Sequence, residues 1–296
     1  VEGAFGLVVL HKDFPDELIV AKRGSPLVIG ILDGARMVAS DPSALIEHTR
    51  DVVYLQDDQI ARLTKDDHEL FSLDDGQHSD HEVCSVQWDV QQLEKGGFDH
   101  FMLKEIDEQP VAIRDSLAGR LKKLIETGSL SGLNLTDVCA KACRRIIIIA
   151  CGTSWHAGLV AKHFFTRFSR VPVEVAYASE FRYDEPILGK DDIVIAISQS
   201  GETADTLEAL KLCKRQGATT IGIVNVVGST IAREVDGGLY LHAGPEIGVA
   251  STKAFTTQLV CLFLVALQVS LQKGTLKKQD IEAYAAAFDD VLAAVK

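Results

Sequence analysis

Between residues 146 and 241 the sequence repeats one pattern. Short, unbroken β-branched runs stand at 146–150 (IIIIA), 173–178, 193–197 (IVIAI), 220–224 and 239–241. A strand with one wet face alternates apolar and polar residues, whereas a run without alternation is buried on both faces. Helix-length segments at 154–168 and 204–216, and a shorter one at 229–235, separate most of the runs. Strand and helix in this alternation predict an α/β unit, a parallel sheet covered by helices on both sides. A long helix is expected after Ser251 and another over 279–295.

Residues 1–90 read differently. Short runs at 6–10, 18–21, 27–32 and 37–39 are separated by turn material: DFPD at 13–16, RGSP at 23–26 and Asp33-Gly34. Asp-Gly between apolar runs predicts a hairpin. Ser40-Asp41-Pro42 offers a cap followed by proline, the start of a short helix through Ile46. Further strands are expected to about Trp88, so this part reads as antiparallel β. The charge follows the same division. Residues 1–100 carry 20 acids and 8 bases, and residues 101–296 carry 22 of each, so the net −12 belongs to the first part. This step, with Gly96-Gly97, places a boundary near residue 100. Neither part has the basic surplus that a phosphate backbone demands, which argues against nucleic acid as a partner. Beyond the joint, Ile113, Leu117, Leu121, Leu124 and Ile125 fall at helical spacing, predicting a helix that Pro110 starts or bends.

The apolar stretch at 259–271 is shorter than the roughly 20 residues a membrane span needs, and it contains Gln268. No signal peptide is expected ahead of the first strand-like run. The six cysteines (84, 139, 143, 151, 213, 261) show neither a CxxC pair nor zinc spacing. They read as reduced thiols in a cytoplasmic protein, with no metal site and no membrane partner.

In a parallel sheet, ligands bind outside the carboxyl ends of the strands. Three segments at or near such ends combine glycine with hydroxyls and run into a helix: Cys151-Gly152-Thr153-Ser154, Ser198-Gln199-Ser200-Gly201-Glu202-Thr203 and Gly248-Val249-Ala250-Ser251-Thr252-Lys253. Each offers backbone N–H groups at a positive helix end together with hydroxyl donors, which suits a phosphate. Helix capping accounts for one hydroxyl per turn, and the second turn supplies three plus Gln199. Neither GxxxxGK[ST] nor GxGxxG is present, which points away from nucleotides and toward a monophosphate on a small polyol, a sugar phosphate. Lys253 reads as a counter-charge to that phosphate, a Schiff-base amine or a solvated lysine. Glu202 reads as a proton carrier or as a favourable charge at a helix start. Cys151 shows no sign of activation, and His156 and His163 read as packing or surface residues.

ACGTSWHAG at 150–158, ASEFRY at 178–183, SQSGETADTLEALK at 198–211 and GPEIGVASTKAFTTQL at 244–259 resemble the first sugar isomerase (SIS) domain of the glutamine–fructose-6-phosphate aminotransferase family. HFMLKEIDEQP at 100–110 resembles the opening of that family's isomerase region. GAFGLVV, RGSPLVIG and VASDPSAL resemble the latter part of its N-terminal-nucleophile glutaminase domain.

The resemblance implies a flavodoxin-like, five-stranded parallel SIS domain preceded by a partial α+β amidotransferase type 2 domain. The implied division is 1–90 glutaminase part, 91–112 linker and start of the isomerase region, 113–275 first SIS domain, and 276–296 a helix leading toward a second one. It also implies synthesis of glucosamine 6-phosphate from fructose 6-phosphate and ammonia released from glutamine, without a cofactor, by a homodimer. By motif, Ser198, Gln199, Ser200 and Thr203 are expected to hold the sugar phosphate. Cys151, Thr153 and Ser154 are expected to line the sugar, and Val249 and Ser251 to close the pocket, with Glu202 and Lys253 as accessory groups. The family's N-terminal cysteine is absent from Val1-Glu2-Gly3, and its isomerase lysine, glutamate and histidine belong to the second SIS domain. No catalytic residue is therefore expected here, and the chain alone is expected to bind sugar phosphate without performing either half-reaction. The rival reading is a non-catalytic SIS protein that senses a sugar phosphate.

Overall fold

The computed structural model divides into two units, Val1–Gly96 and Gly97–Lys296, of which residue 3 and residues 5–86 and 94–295 are described. The last of the strand signal expected up to Trp88 lies outside the described residues, as do residues 91–93 of the expected linker.

Among the described residues of the first unit, eight strands run β1 (Phe5–His11), β2 (Phe14–Arg23), β3 (Val28–Leu32), β4 (Ala35–Ala39), β5 (Asp51–Tyr54), β6 (Gln59–Leu63), β7 (His68–Ser72) and β8 (Cys84–Ser85). They form two four-stranded sheets, β1-β2-β6-β7 and β4-β3-β5-β8, in which neighbouring strands run antiparallel. Successive side chains on a strand point to opposite faces, and β3 shows the consequence. Ile29 joins Val20, Val53, Leu55, Ala61, Leu63 and Leu70 in one core, while its neighbour Val28 packs with Leu45 and Val52 in another. The Asp33-Gly34 hairpin forms, with Leu32 paired to Ala35. The expected helix after Pro42 is only a 3-10 turn, Pro42–Ala44.

The second unit opens with helices α1 (Phe101–Asp107), α2 (Gln109–Leu117), α3 (Arg120–Thr127) and α4 (Asp137–Ala142). The single helix expected from the 113–125 spacing is two. Gly119 sits in the left-handed region (φ 71°) between α2 and α3, a conformation that glycine adopts without a Cβ clash and that a continuing helix cannot contain. Pro110 lies in the first turn of α2, where its missing N–H costs nothing.

Then follow β9 (Arg145–Ala150), α5 (Gly152–Phe168), β10 (Val173–Tyr177), α6 (Ala178–Phe181), β11 (Asp192–Ser198), α7 (Ala204–Arg215), β12 (Thr219–Val224), α8 (Thr230–Glu234), β13 (Gly237–Tyr240), α9 (Lys253–Lys273) and α10 (Lys278–Val295). The five strands form one parallel sheet in the order β10-β9-β11-β12-β13. The unbroken isoleucine run of β9 serves both faces. Ile146 and Ile148 enter the core beneath α5 and α9, and Ile147 and Ile149 the core beneath α6, α7 and α8. Each such fully buried side chain contributes about 2 kcal/mol of transfer free energy.

Helix α9 exceeds the apolar stretch at 259–271: its 21 residues are long and apolar enough to cross a membrane, yet most of the helix is buried inside the unit. A helix that is apolar on nearly all sides is a core helix when protein surrounds it. Gln268 fits that place because its amide is bonded: Oε1 accepts from the Leu130 N–H at 2.7 Å, and Nε2 donates to Leu135 O at 3.4 Å.

Candidate functional site

The chain leaves β9 for β10 on one side of the sheet and returns to β11 on the other, so the strand order reverses between β9 and β11. At such a switch point the two following loops diverge and leave a crevice at the carboxyl ends of the strands. Ala150 is in register with both Tyr177 and Ile197, and Ser198 with Val224. The 151–154 and 198–203 turns therefore begin side by side.

The 198–203 turn is held largely by its own hydroxyls. Ser198 is buried; its Oγ accepts from the Gly201 N–H at 2.9 Å and shares a hydrogen bond with Thr203 Oγ1 at 2.9 Å. Ser200 Oγ accepts from the Glu202 N–H at 3.1 Å. Thr203 occupies the N-cap of α7 but makes no side-chain cap bond, so the capping explanation for these hydroxyls fails at the one position where it applied. The N–H groups of Ser200 and Thr203 have no acceptor among the described residues. Gly201 has φ 68°, and a Cβ there would stand 2.0 Å from Ser229 Oγ; no other residue fits. Two further bonds fasten the turn to α8: Glu202 Oε1 accepts from the Thr230 N–H at 2.6 Å, and Gly201 O from the Ile231 N–H at 3.0 Å. The Glu202 carboxylate therefore meets a helix start, that of α8 rather than of α7.

Cys151 is the N-cap of α5, without a side-chain cap bond, and Thr153 is exposed. Ser154 is buried, its Oγ accepting from Gln258 Nε2 on α9 at 2.9 Å. Trp155 stacks on Tyr177 at 4.3 Å, and His156 lies edge-on to Trp155; His156 and His163 are both exposed.

The 248–253 segment resembles the serine turn in composition and differs in its partners. Glu105 of α1 accepts from the N–H groups of Ile247 (2.6 Å) and Gly248 (3.0 Å). Glu246 accepts from the N–H groups of Thr252 (2.8 Å) and Ala254 (3.1 Å) and from Ser251 Oγ (2.8 Å). Lys253 is buried, with Nζ 2.6 Å from Glu108 Oε2, so it is not the solvated lysine that one sequence reading allowed. Val249 is fully exposed. Sequence reasoning passed over Asn225, Gln258 and the three glutamates. Only Asn225 carried a signal, a polar residue directly after an apolar strand. Among the described residues no group of three or more His, Cys, Asp or Glu side chains could hold a metal ion.

Residues 141–268 match the family model described as SIS domain. Residues 141–268 are a SIS domain. The match begins on α4 and ends within α9, so it takes in the whole parallel sheet of the SIS domain and both turns at its switch point.

The resemblance to the aminotransferase family holds well beyond the SIS domain. The chain is 50% identical over 285 residues to glutamine–fructose-6-phosphate aminotransferase (isomerizing) of Chlorobaculum tepidum, covering 95% of this chain and 46% of that protein. To the enzyme of the same name from Caldanaerobacter subterraneus it is 47% identical over 281 residues, with the same coverage. The chain thus spans about half the length of the curated relatives it matches. Among solved structures, the C-terminal domain of glucosamine-fructose-6-phosphate aminotransferase from Francisella tularensis matches with a TM-score of 0.62 and 40% identity, over 68% of this chain and 56% of that one.

Proposed function

We propose that this chain is part of an enzyme that converts fructose 6-phosphate and glutamine to glucosamine 6-phosphate and glutamate, and that its SIS domain binds the sugar phosphate at the carboxyl ends of β9 and β11. The observation that carries the reading is the 198–203 turn. It stands at the switch point, spends its hydroxyls on its own shape, and leaves the Ser200 and Thr203 N–H groups at the start of α7 without an acceptor among the described residues. Such a concave set of donors at a helix start favours a dianion. Ser198 shapes the turn, while Gln199, Ser200 and Thr203 meet the phosphate. Cys151, Thr153 and Ser154 face the sugar. Ser251 and Val249 stand on the further wall, Ser251 tied to Glu246. Lys253 and Glu202 act as scaffold through Glu108 and Thr230.

The enzyme works in the cytoplasm as a homodimer. The free state of all six cysteines supports the compartment. The exposed apolar side chains Met102, Leu103 and Ile106 of α1 and Val111 of α2 support a second copy as the covering partner.

Calorimetric titration with fructose 6-phosphate, beside fructose and inorganic phosphate, tests the sugar-phosphate reading. The expected result is saturable binding of the phosphosugar, tighter than either control and weakened about tenfold in Ser200→Ala, which removes a hydroxyl from the phosphate turn. A folded chain that binds none of the three, or that binds equally well without Ser200, overturns it.

A further inference from the structure

Asn225 directly follows β12 and is 5% exposed. Its backbone N–H donates to Gln199 O, inside the serine turn, at 3.2 Å. Its side chain reaches the other way: Oδ1 accepts from the Ala243 N–H at 3.0 Å, and Nδ2 donates to Gly244 O at 2.6 Å. Only one orientation of the amide satisfies both, since the reverse would set donor against donor and acceptor against acceptor. One residue is therefore bonded to the serine turn by its main chain and to the start of the 243–253 segment by its side chain. The bonded residues Gln199 and Ala243 are 44 positions apart in sequence, and the two segments follow different strands, β11 and β13.

We infer that Asn225 is a positioning residue that sets the spacing between the serine turn and the 243–253 segment, and thereby lets the site prefer a phosphosugar over bare phosphate. The inference rests on the phosphosugar reading above. Its physical basis is that the serine turn suffices for a phosphate, whereas a sugar attached to that phosphate must also fit the second wall. A buried amide with both ends bonded holds such a spacing more firmly than apolar packing, because each unmade bond leaves a buried polar group without a partner.

Asn225→Asp tests this without a change of shape. Ionised, the aspartate keeps the acceptor for Ala243 but sets a carboxylate oxygen against Gly244 O; protonated, it regains a donor. Burial beside a carbonyl raises a carboxyl pKa, so the donor returns as the pH is lowered. The expected loss for fructose 6-phosphate at about pH 7.5 is about tenfold relative to the unmodified chain, with inorganic phosphate changed less than about twofold. At about pH 5 the phosphosugar ratio is expected to return to within about threefold. Expressing each affinity relative to the unmodified chain at the same pH cancels the titration of the ligand and of Glu202, His242, Glu246, Lys253 and Glu108 on the segments involved. Asn225→Ala, neutral at every pH, is expected to show the same selective loss without recovery, and thermal unfolding of both variants checks that they fold.

Parallel losses for fructose 6-phosphate and phosphate, or a ratio indifferent to pH in Asn225→Asp, overturn the inference and leave the phosphosugar reading standing. Failure of the unmodified chain to bind fructose 6-phosphate overturns both.

Discussion

The 198–203 turn and the 248–253 segment are near twins in composition, each joining glycine to hydroxyls at the start of a helix, yet the protein treats them in opposite ways. Around the first, no carboxylate accepts from the turn's own N–H groups among the described residues, and the hydroxyls bond to one another and to the turn's backbone. Around the second, Glu105 and Glu246 between them take four backbone N–H groups, and Glu108 takes Lys253. A helix start attracts an anion whatever its source. The difference is that one of these starts is already occupied by the protein's own carboxylates, and that is what separates a candidate ligand site from a structural joint.

Four substitutions break or sharpen that contrast. The largest effect is expected from Gly201→Val, which forces a branched side chain into a left-handed backbone and onto Ser229. A loss of about 3 kcal/mol is expected, because strain and overpacking add, together with loss of fructose 6-phosphate binding. Urea unfolding and calorimetry read the two effects, and unchanged binding would show that the turn's shape is not what holds the ligand.

Asp192 is another carboxylate spent on protein donors, at the opposite end of β11 from the serine turn. Its side chain is fully buried and bonded to Arg145 Nε at 3.1 Å and the Gly189 N–H at 3.0 Å. Burial alone would raise its pKa. The Arg145 and Gly189 hydrogen bonds, with the charges of Arg145 and Arg144, outweigh that and hold it below the ordinary carboxyl value. A depressed folded-state pKa contributes stability above the unfolded value near 3.9 and loses it as pH falls through the folded value. Asp192→Asn is therefore expected to cost about 2 kcal/mol at neutral pH, discounted for the partly exposed arginines, and to flatten the acid limb of the stability curve. Equal acid slopes in the two proteins would count against this assignment.

Glu246→Ala is expected to cost about 1 kcal/mol, the usual loss on removing a helix cap. It also bares the start of α9, so added sulfate should raise the melting temperature of the variant more than that of the unmodified chain. No difference in sulfate response would mean that Glu246 is not what keeps this segment from acting as an anion site. The smallest effect is expected at Val249, which is fully exposed. Val249→Ala should change stability by less than about 0.5 kcal/mol and fructose 6-phosphate affinity by less than about threefold. A larger loss of affinity would bring this side chain into contact with the ligand.

Much of the sheet was legible because an apolar run flanked by polar residues has sharp ends. The run expected at 193–197 is the strand Asp192–Ser198, and that expected at 146–150 is Arg145–Ala150. The break between α2 and α3 was not legible, since the apolar spacing continues across Gly119 and only its backbone conformation stops the helix. The serine turn could be singled out because its excess of hydroxyls is local. Glu105 could not be placed, because its partners Ile247 and Gly248 lie 142 and 143 positions away. Neither composition nor periodicity carries information over that distance.

By itself the sequence determined the parallel sheet, the strand ends from which the turns issue, and a turn too rich in hydroxyls to be only a cap. These are properties of neighbouring residues, where hydrophobic period and backbone preference act within a few positions. Only the tertiary structure decided which turns share the switch point, which helix start keeps its donors, and that Asn225 bonds to both the serine turn and the 243–253 segment. Those outcomes depend on hydrogen bonds between residues far apart in the chain, and such a bond exists only once the sheet has brought its ends together.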